Sequence, residues 1–170
     1  MSKSKIVGIM SLIVFAMGIV LAGDAVAGEK GKGTAREVFY GTTFHTINVP
    51  GIEGHTLVLG EAKMIHFSEK FGPSVGICTQ MLDLIKGKGG QCQGYNQYTY
   101  PDGSTITHKW KGELKGGGRG KLGTASSEGT YTYIKGTGKY QGIQGGGTWK
   151  SYTLAPGQWY SDSEGEYTLP

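Results

Sequence analysis

Glycine constrains this chain more than any other residue. Of its 32 glycines, only Gly8, Gly18 and Gly23 precede residue 28, so about one residue in five of the remainder is glycine, against the usual ~7%. They keep no three-residue period, which excludes a collagen-like strand. Tyr, Thr, Val, Ile and Trp lie between them, and disordered glycine-rich chains lack such β-formers. The glycines therefore read as turns, bulges and strand bends of an all-β domain.

Residues 1–27 have a separate logic. Lys3 and Lys5 form a short basic start, Ile6 to Ala22 is an uncharged apolar run, and Ala25-Val26-Ala27 is a small-x-small pattern. That is the layout of a secretory signal peptide. The run is at the lower edge of what spans a bilayer, so a retained anchor is the alternative. No Cys directly follows it, which argues against a lipid anchor. The expected organisation is a signal over 1–27, a flexible lead over 28–35 (GEKGKGTA) and one β domain over 36–170, exported to a periplasm or secreted, with no stable membrane insertion after cleavage. The formal charge is +4 for the chain and falls to +3 once Lys3, Lys5 and Asp24 are removed. Lys86, Lys88, Lys115, Arg119 and Lys121 sit in glycine turns rather than in a basic stripe with interleaved aromatics, so no nucleic-acid partner is expected.

Strands follow in quick succession. Arg36 to Thr46 carries Val38, Phe39, Tyr40 and Phe44, and Pro50-Gly51 marks a turn. Thr56 to Phe67 reads as one or two strands, and Glu69 to Pro73 breaks it. Val75, Ile77, Thr79 and Met81 share one face of the next strand, which runs to Ile85. Pro101-Asp102-Gly103-Ser104 is the clearest hairpin signal. On its near side Asn96, Tyr98 and Tyr100 alternate with Tyr95, Gln97 and Thr99. On its far side Ile106, His108 and Trp110 alternate with Thr105, Thr107 and Lys109. KGGGRGK over 115–121 is another turn, Gly129 to Ile134 a short strand, Thr148 to Leu154 a strand, and Gln158 to Leu169 the last strand or pair. Eight or nine strands without a long helix argue for a sandwich or closed barrel.

Cys78 and Cys92 bear on compartment. In an oxidising compartment a disulfide is plausible. If 75–85 and 91–100 form a hairpin around Gly87-Lys88-Gly89, however, the two sulfurs lie roughly 20 Å apart along the ladder, beyond disulfide reach. Both outcomes stay open.

The segment GTGKYQGIQGGGT over 136–148 resembles the glycine-threonine-glycine, basic-aromatic-x-glycine segment of the allene oxide cyclase-like and dirigent-like β-barrels, and most of all that of small exported bacterial proteins with that barrel. Cys92-Gln93-Gly94 followed by Asp102-Gly103 is similar to a second element of those proteins. The resemblance covers about residues 60–169 and implies a single antiparallel β-barrel of about eight strands, with an interior just wide enough to be filled or to hold one small ligand. Read physically, the segment is a corner. Gly136 and Gly138 permit a turn, Tyr140 and Ile143 pack inward, and Gly142, Gly145, Gly146 and Gly147 let the strand coil.

Chemistry is weakly marked. His45, His55, His66 and His108 form no HxH or HxxxH pair, and two thiols without a nearby His make a poor metal site, so no metal is expected. Each histidine reads first as an ordinary strand or loop residue. His108 stands out because it shares a face with Ile106 and Trp110. Glu61, Asp83, Glu113 and Glu128 lie in or beside strands, where carboxylates usually face water. Gly-x-Ser-x-Gly, phosphate-loop and EF-hand patterns are missing. The related cyclases and dirigent proteins imply steering of reactive small molecules with no cofactor. The primary expectation is a barrel binding a small apolar or aromatic molecule through Tyr95, Tyr98, Tyr100, His108, Trp110 and Tyr131, or a structural or interaction module. The alternative is a cofactor-free isomerase or cyclase with His108 or Glu113 as its acid or base. Oligomerisation is left open.

Overall fold

A computed structural model describes residues 28–116 and 125–170. The expected signal and most of the turn expected over 115–121 lie outside the described residues. Eight antiparallel strands run in chain order and close into a barrel: β1 (Glu29–Asn48), β2 (His55–Ser68), β3 (Gly72–Ile85), β4 (Gly89–Thr99), β5 (Thr105–Lys115), β6 (Ser126–Gly136), β7 (Gln144–Ala155) and β8 (Gln158–Leu169). One 3-10 turn, Gly138–Tyr140, links β6 to β7. No helix among the described residues is long and apolar enough to cross a membrane.

The expected corner forms at that link. Gly138 and Gly142 take positive φ, 57° and 80°, a region that favours glycine. Tyr140, between them, and Ile143, just after, are buried. At the 101–104 hairpin, Gly103 takes φ 81° and the Asp102 carboxylate accepts the Ser104 N–H at 3.0 Å.

Residues 28–35 are not a flexible lead. Glu29 onward is β1, paired residue for residue with β8 from Glu29 opposite Leu169 to Tyr40 opposite Gln158. Gly31 and Gly33 face inward, and the Tyr167 ring lies where a Gly31 side chain would be. Lys32 faces outward and pairs with Glu166 at 2.9 Å.

Several large rings on the inner wall lie against glycines. Trp110 lies on Gly94, its opposite number on β4. Trp149 reaches across Gly129 to lie on Gly112, and Tyr131 reaches across Gly147 to Gly165. An eight-stranded barrel is just wide enough for side chains to fill, so these three rings occupy volume that neighbouring glycines leave free.

The outer wall is two-sided. On β1–β3 it is apolar: Val38, Ile65 and Val75 form one row across the three strands, flanked by Phe67 and Ile77, all at least 42% exposed. The row of Val75, Ile77, Thr79 and Met81 thus faces outward, while Ser74, Cys78 and Gln80 point in. Between β1 and β8 the outer face carries ion pairs instead, Lys32–Glu166 at 2.9 Å and Arg36–Asp162 at 2.6 Å, and Lys115 on β5 pairs with Glu128 on β6.

Candidate functional site

The inner wall divides along the barrel axis. At the end formed by the 69–71 turn, the 101–104 hairpin and the 3-10 turn, aromatic rings close the bore. Phe71 packs edge-on against Tyr140 and Tyr167, with centroids 5.2 and 4.8 Å apart, and Tyr100 tilts against Tyr140 at 4.6 Å. Lys70 pairs with Glu29 at 2.9 Å and ties the 69–71 turn to the start of β1.

Beneath this cap the interior turns polar. Glu37 on β1, His66 on β2, Asn96 and Tyr98 on β4 and His108 on β5 are all buried. Each occupies an inward position of its strand, which is why separate strands deliver them to one point. The Tyr98 hydroxyl donates to Glu37 Oε1 at 2.7 Å. Its oxygen lies 3.3 Å from His108 Nε2 and accepts from Asn96 Nδ2 at 3.4 Å. Asn96 Oδ1 in turn accepts the Trp110 indole N–H at 3.0 Å. The His66 ring stacks on Tyr98 at 4.2 Å and bonds Ser74 Oγ through Nδ1 at 3.0 Å. Tyr131 lies 5.0 Å from His108 and 5.4 Å from Tyr133. Of the buried side-chain polar atoms among the described residues, Tyr100 Oη is without a hydrogen-bond partner.

The electrostatics follow from burial. Loss of water pushes the Glu37 carboxyl up to about 7, helped by the nearby Asp162 charge and opposed by hydrogen bonds from Tyr98 and Ser161. Burial lowers His66 to about 4. It lowers His108 to about 3, with the His66 charge adding to the effect. Both rings are therefore neutral at pH 7, and Tyr98 is held well above the ordinary phenol value, by burial first and then by the Glu37 charge. A carboxyl that titrates near neutrality can give or take a proton from a bound molecule.

The space between these side chains is small. Its volume is about 30 Å³, bounded by Glu37, His66, Tyr98, Tyr100, His108 and Tyr131 among others. That is about one water's share of liquid volume, against the ~300–1,000 Å³ of an ordinary ligand pocket. A wider hollow of about 750 Å³ lies outside, across β2, β1, β8 and β7. Its Arg36 and Asp162 neutralise each other, and it is open to solvent.

Of the residues expected to line a ligand site, Tyr98, Tyr100, His108 and Tyr131 meet at this cavity. Trp110 points inward but lies below it, joined through Asn96. Tyr95 does not belong: it is 47% exposed on the outer wall, because it alternates with Tyr98 and Tyr100 in a strand whose other face is inside. Glu113 is also outside, where it accepts from Gln91 at 3.0 Å, so it cannot serve as an acid or base in the bore. Glu61, Asp83 and Glu128 are exposed as well, as expected. Glu37 and His66 escaped sequence reasoning as site residues. The available signal was parity: Glu37 shares a strand face with Phe39, and His66 with Met64.

Cys78 and Cys92 are both free and buried. Cys78 opposes Asn96, while Cys92 opposes Leu82. They are four ladder positions apart, ~13 Å along the strand, so the ladder excludes the bridge. Burial pushes each thiol up to about 12. At pH 8 we expect a thiol reagent to leave both unmodified in the folded protein and to label both in 6 M guanidinium, read by intact mass. Labelling of the folded protein at the unfolded rate would contradict their placement.

No protein family is matched by the sequence, and no curated protein matches it. The eight antiparallel strands closed in chain order give a barrel fold shared with solved dirigent proteins. The chain is similar to the solved structure of the pterocarpan synthase dirigent protein GePTS1, with a TM-score of 0.50 and 11% identity over 94% of this chain and 99% of that one. A second similar structure is the pterocarpan synthase dirigent protein PsPTS1, with a TM-score of 0.46 and 10% identity over 84% of this chain and 97% of that one. Likeness at these identities is likeness of fold.

Proposed function

We propose that this chain is an exported small-molecule-binding barrel, of the allene oxide cyclase-like and dirigent-like kind, that receives its ligand beneath the Phe71–Tyr140–Tyr167 cap. The observation that carries the reading is the buried polar cluster. Packing alone would be better served by aliphatic side chains, since buried polar groups destabilise unless fully bonded. Here a carboxyl, two neutral imidazoles and several phenols converge on one cavity, and Tyr100 Oη lacks a bond. Perturbed titratable groups around a cleft are the ordinary mark of a binding or reacting site. The aromatic walls suit a flat, apolar or aromatic molecule. The 30 Å³ space is then the closed form, and the 69–71 turn is the part that must yield to admit one. In a catalytic version, Glu37 takes the role first expected of Glu113, moving a proton on the ligand without a cofactor; the work of GePTS1 as a pterocarpan synthase supports such a role for a barrel of this shape.

The test is a screen of small aromatic and phenolic compounds against the full chain and its Phe71→Ala variant, by native mass and thermal shift. We expect a ligand to raise the melting temperature by several degrees at 100 times its Kd, as ~2.7 kcal/mol of linkage requires. Phe71→Ala should bind it with a faster on-rate, and Tyr98→Phe should weaken it. If neither form binds anything, the interior is packing alone. The apolar outer face of β1–β3 then favours the interaction-module reading, since large exposed patches mark contact surfaces, and sedimentation would show association rising with concentration.

A further inference from the structure

The Glu37 carboxyl has no counter-ion. None of the ion pairs among the described residues includes it. Its chain neighbour Arg36 points outward to Asp162, and Lys70 at the cavity edge is held by Glu29. What surrounds Glu37 instead is a set of aromatic faces and hydroxyls: Tyr98, Tyr100, Tyr131, Tyr133 and the neutral His66 and His108. A carboxylate in such a place lacks one thing, a positive charge, and electron-rich ring faces attract the same charge. Tyr100 is 97% buried and lines the same space, and its Oη has no hydrogen-bond partner. We propose that this cavity receives a small organic cation, an ammonium head about the size of methylammonium, held between the Glu37 carboxylate and the Tyr100 hydroxyl within a cage of tyrosine faces.

This inference rests on the small-molecule reading and names the charge of the ligand. The size limits the guest, since about 30 Å³ is the share of one water: an ammonium group fits as it stands, and its methyl group enters only as the cap gives way. The donor set agrees as well. A hard metal ion takes six to eight oxygens, and the cavity offers one carboxylate and phenols; no group of three His, Cys, Asp or Glu among the described residues could hold a metal. An ammonium group needs few acceptors and tolerates ring faces on its other sides.

Binding then depends on pH through one group. The titratable side chains facing Glu37 are His66 on β2, Cys78 on β3, Tyr98 on β4 with Tyr100 just beyond it, His108 on β5 and Tyr131 and Tyr133 on β6, with Asp162 on β8 acting from outside. The histidines titrate near 4 and 3, Cys78 near 12, and the tyrosines are raised by burial. Only Glu37, near 7, changes charge between pH 5.5 and 8.

The full chain is titrated with methylammonium chloride, with potassium chloride at equal ionic strength and with methanol as the neutral counterpart, following the tyrosine and histidine ring resonances by NMR. We expect saturable shifts of His66, Tyr98 and Tyr100 with methylammonium, about thirtyfold tighter at pH 8 than at pH 5.5, the change in the ionised fraction of an acid with pKa near 7. Glu37→Gln, which keeps the shape of the side chain, should abolish both the binding and its pH dependence. Equal affinity at the two pH values, or potassium binding as tightly as methylammonium, overturns the proposal, and the unmodified protein suffices for both arms. Methanol or an aromatic probe binding where methylammonium does not would refute the charge and leave the small-molecule reading standing. Failure of every probe would remove both.

Discussion

Gly112→Val should destabilise the barrel by about 3 kcal/mol or more, at or beyond the upper end for overpacking. A Cβ at this position collides with the Glu128 carbonyl oxygen on β6 and stands 2.7 Å from Cζ2 of Trp149. The first obstacle is backbone, which cannot step aside without breaking the β5–β6 ladder. The second is a ring packed edge-on against Trp110, centroids 5.6 Å apart, so its displacement passes into the second tryptophan. The melting temperature should fall by roughly 10 °C or more for a domain of this size. Gly33→Ala is the control. It also faces the bore, but its Cβ meets only Lys70 Cβ at 3.6 Å, an ordinary contact, and it should shift stability by under ~1 kcal/mol. Urea unfolding followed by tryptophan fluorescence checks both. Equal costs for the two variants would mean that glycine does not hold space for the rings.

Glu37→Gln is expected to change stability with a defined dependence on pH. The folded carboxyl titrates near 7 and the ordinary one at 4.5, so the folded state holds its proton more tightly. The contribution of Glu37 is therefore fully present below about pH 4.5 and is lost as pH rises through about 7. Gln keeps the acceptor for Tyr98 and never ionises. The variant should match the wild type at pH 4 and exceed it by about 3 kcal/mol at pH 8, the gap opening by ~1.4 kcal/mol per pH unit between those limits. His66 and His108 act in the opposite sense. Their folded values of about 4 and 3 lie below the ordinary 6.5, so their stabilisation is present above 6.5 and is lost as pH falls through those values. Both proteins should weaken in acid, the variant more steeply. Two parallel stability curves would sink the assignment of a raised Glu37.

The hairpin around Asp102-Gly103 was legible because its strands alternate cleanly. Tyr98, Tyr100, Ile106 and His108 fall inside, as one face of that pattern required. The corner at 136–148 was legible through its glycines. On β3 the face was harder to read. Apolar Val75, Ile77 and Met81 look like core and stand outside, while Gly76, Cys78 and Gln80 look neutral and stand inside. Hydrophobicity orders the two faces of a strand only when one of them is wet and unpatched. Glu37 and His66 were hidden for the converse reason: a polar residue among apolar neighbours reads as the solvent side. Residues 28–35 read as a linker because a strand built of alternating Gly and Lys has no side chain to announce it. Its pairing is visible only once Tyr167 is placed opposite Gly31.

The chain-order meander has a consequence for how the barrel assembles. Seven of its eight seams join strands adjacent in sequence, whereas the β1–β8 seam joins Glu29 to Leu169. Loop-closure entropy grows as the logarithm of the separation, so this seam meets the largest search and is the natural last event. Until it forms, the backbone edges of β1 and β8 are free to pair with another chain. The β1–β8 ladder thus governs solubility during synthesis as much as it governs shape.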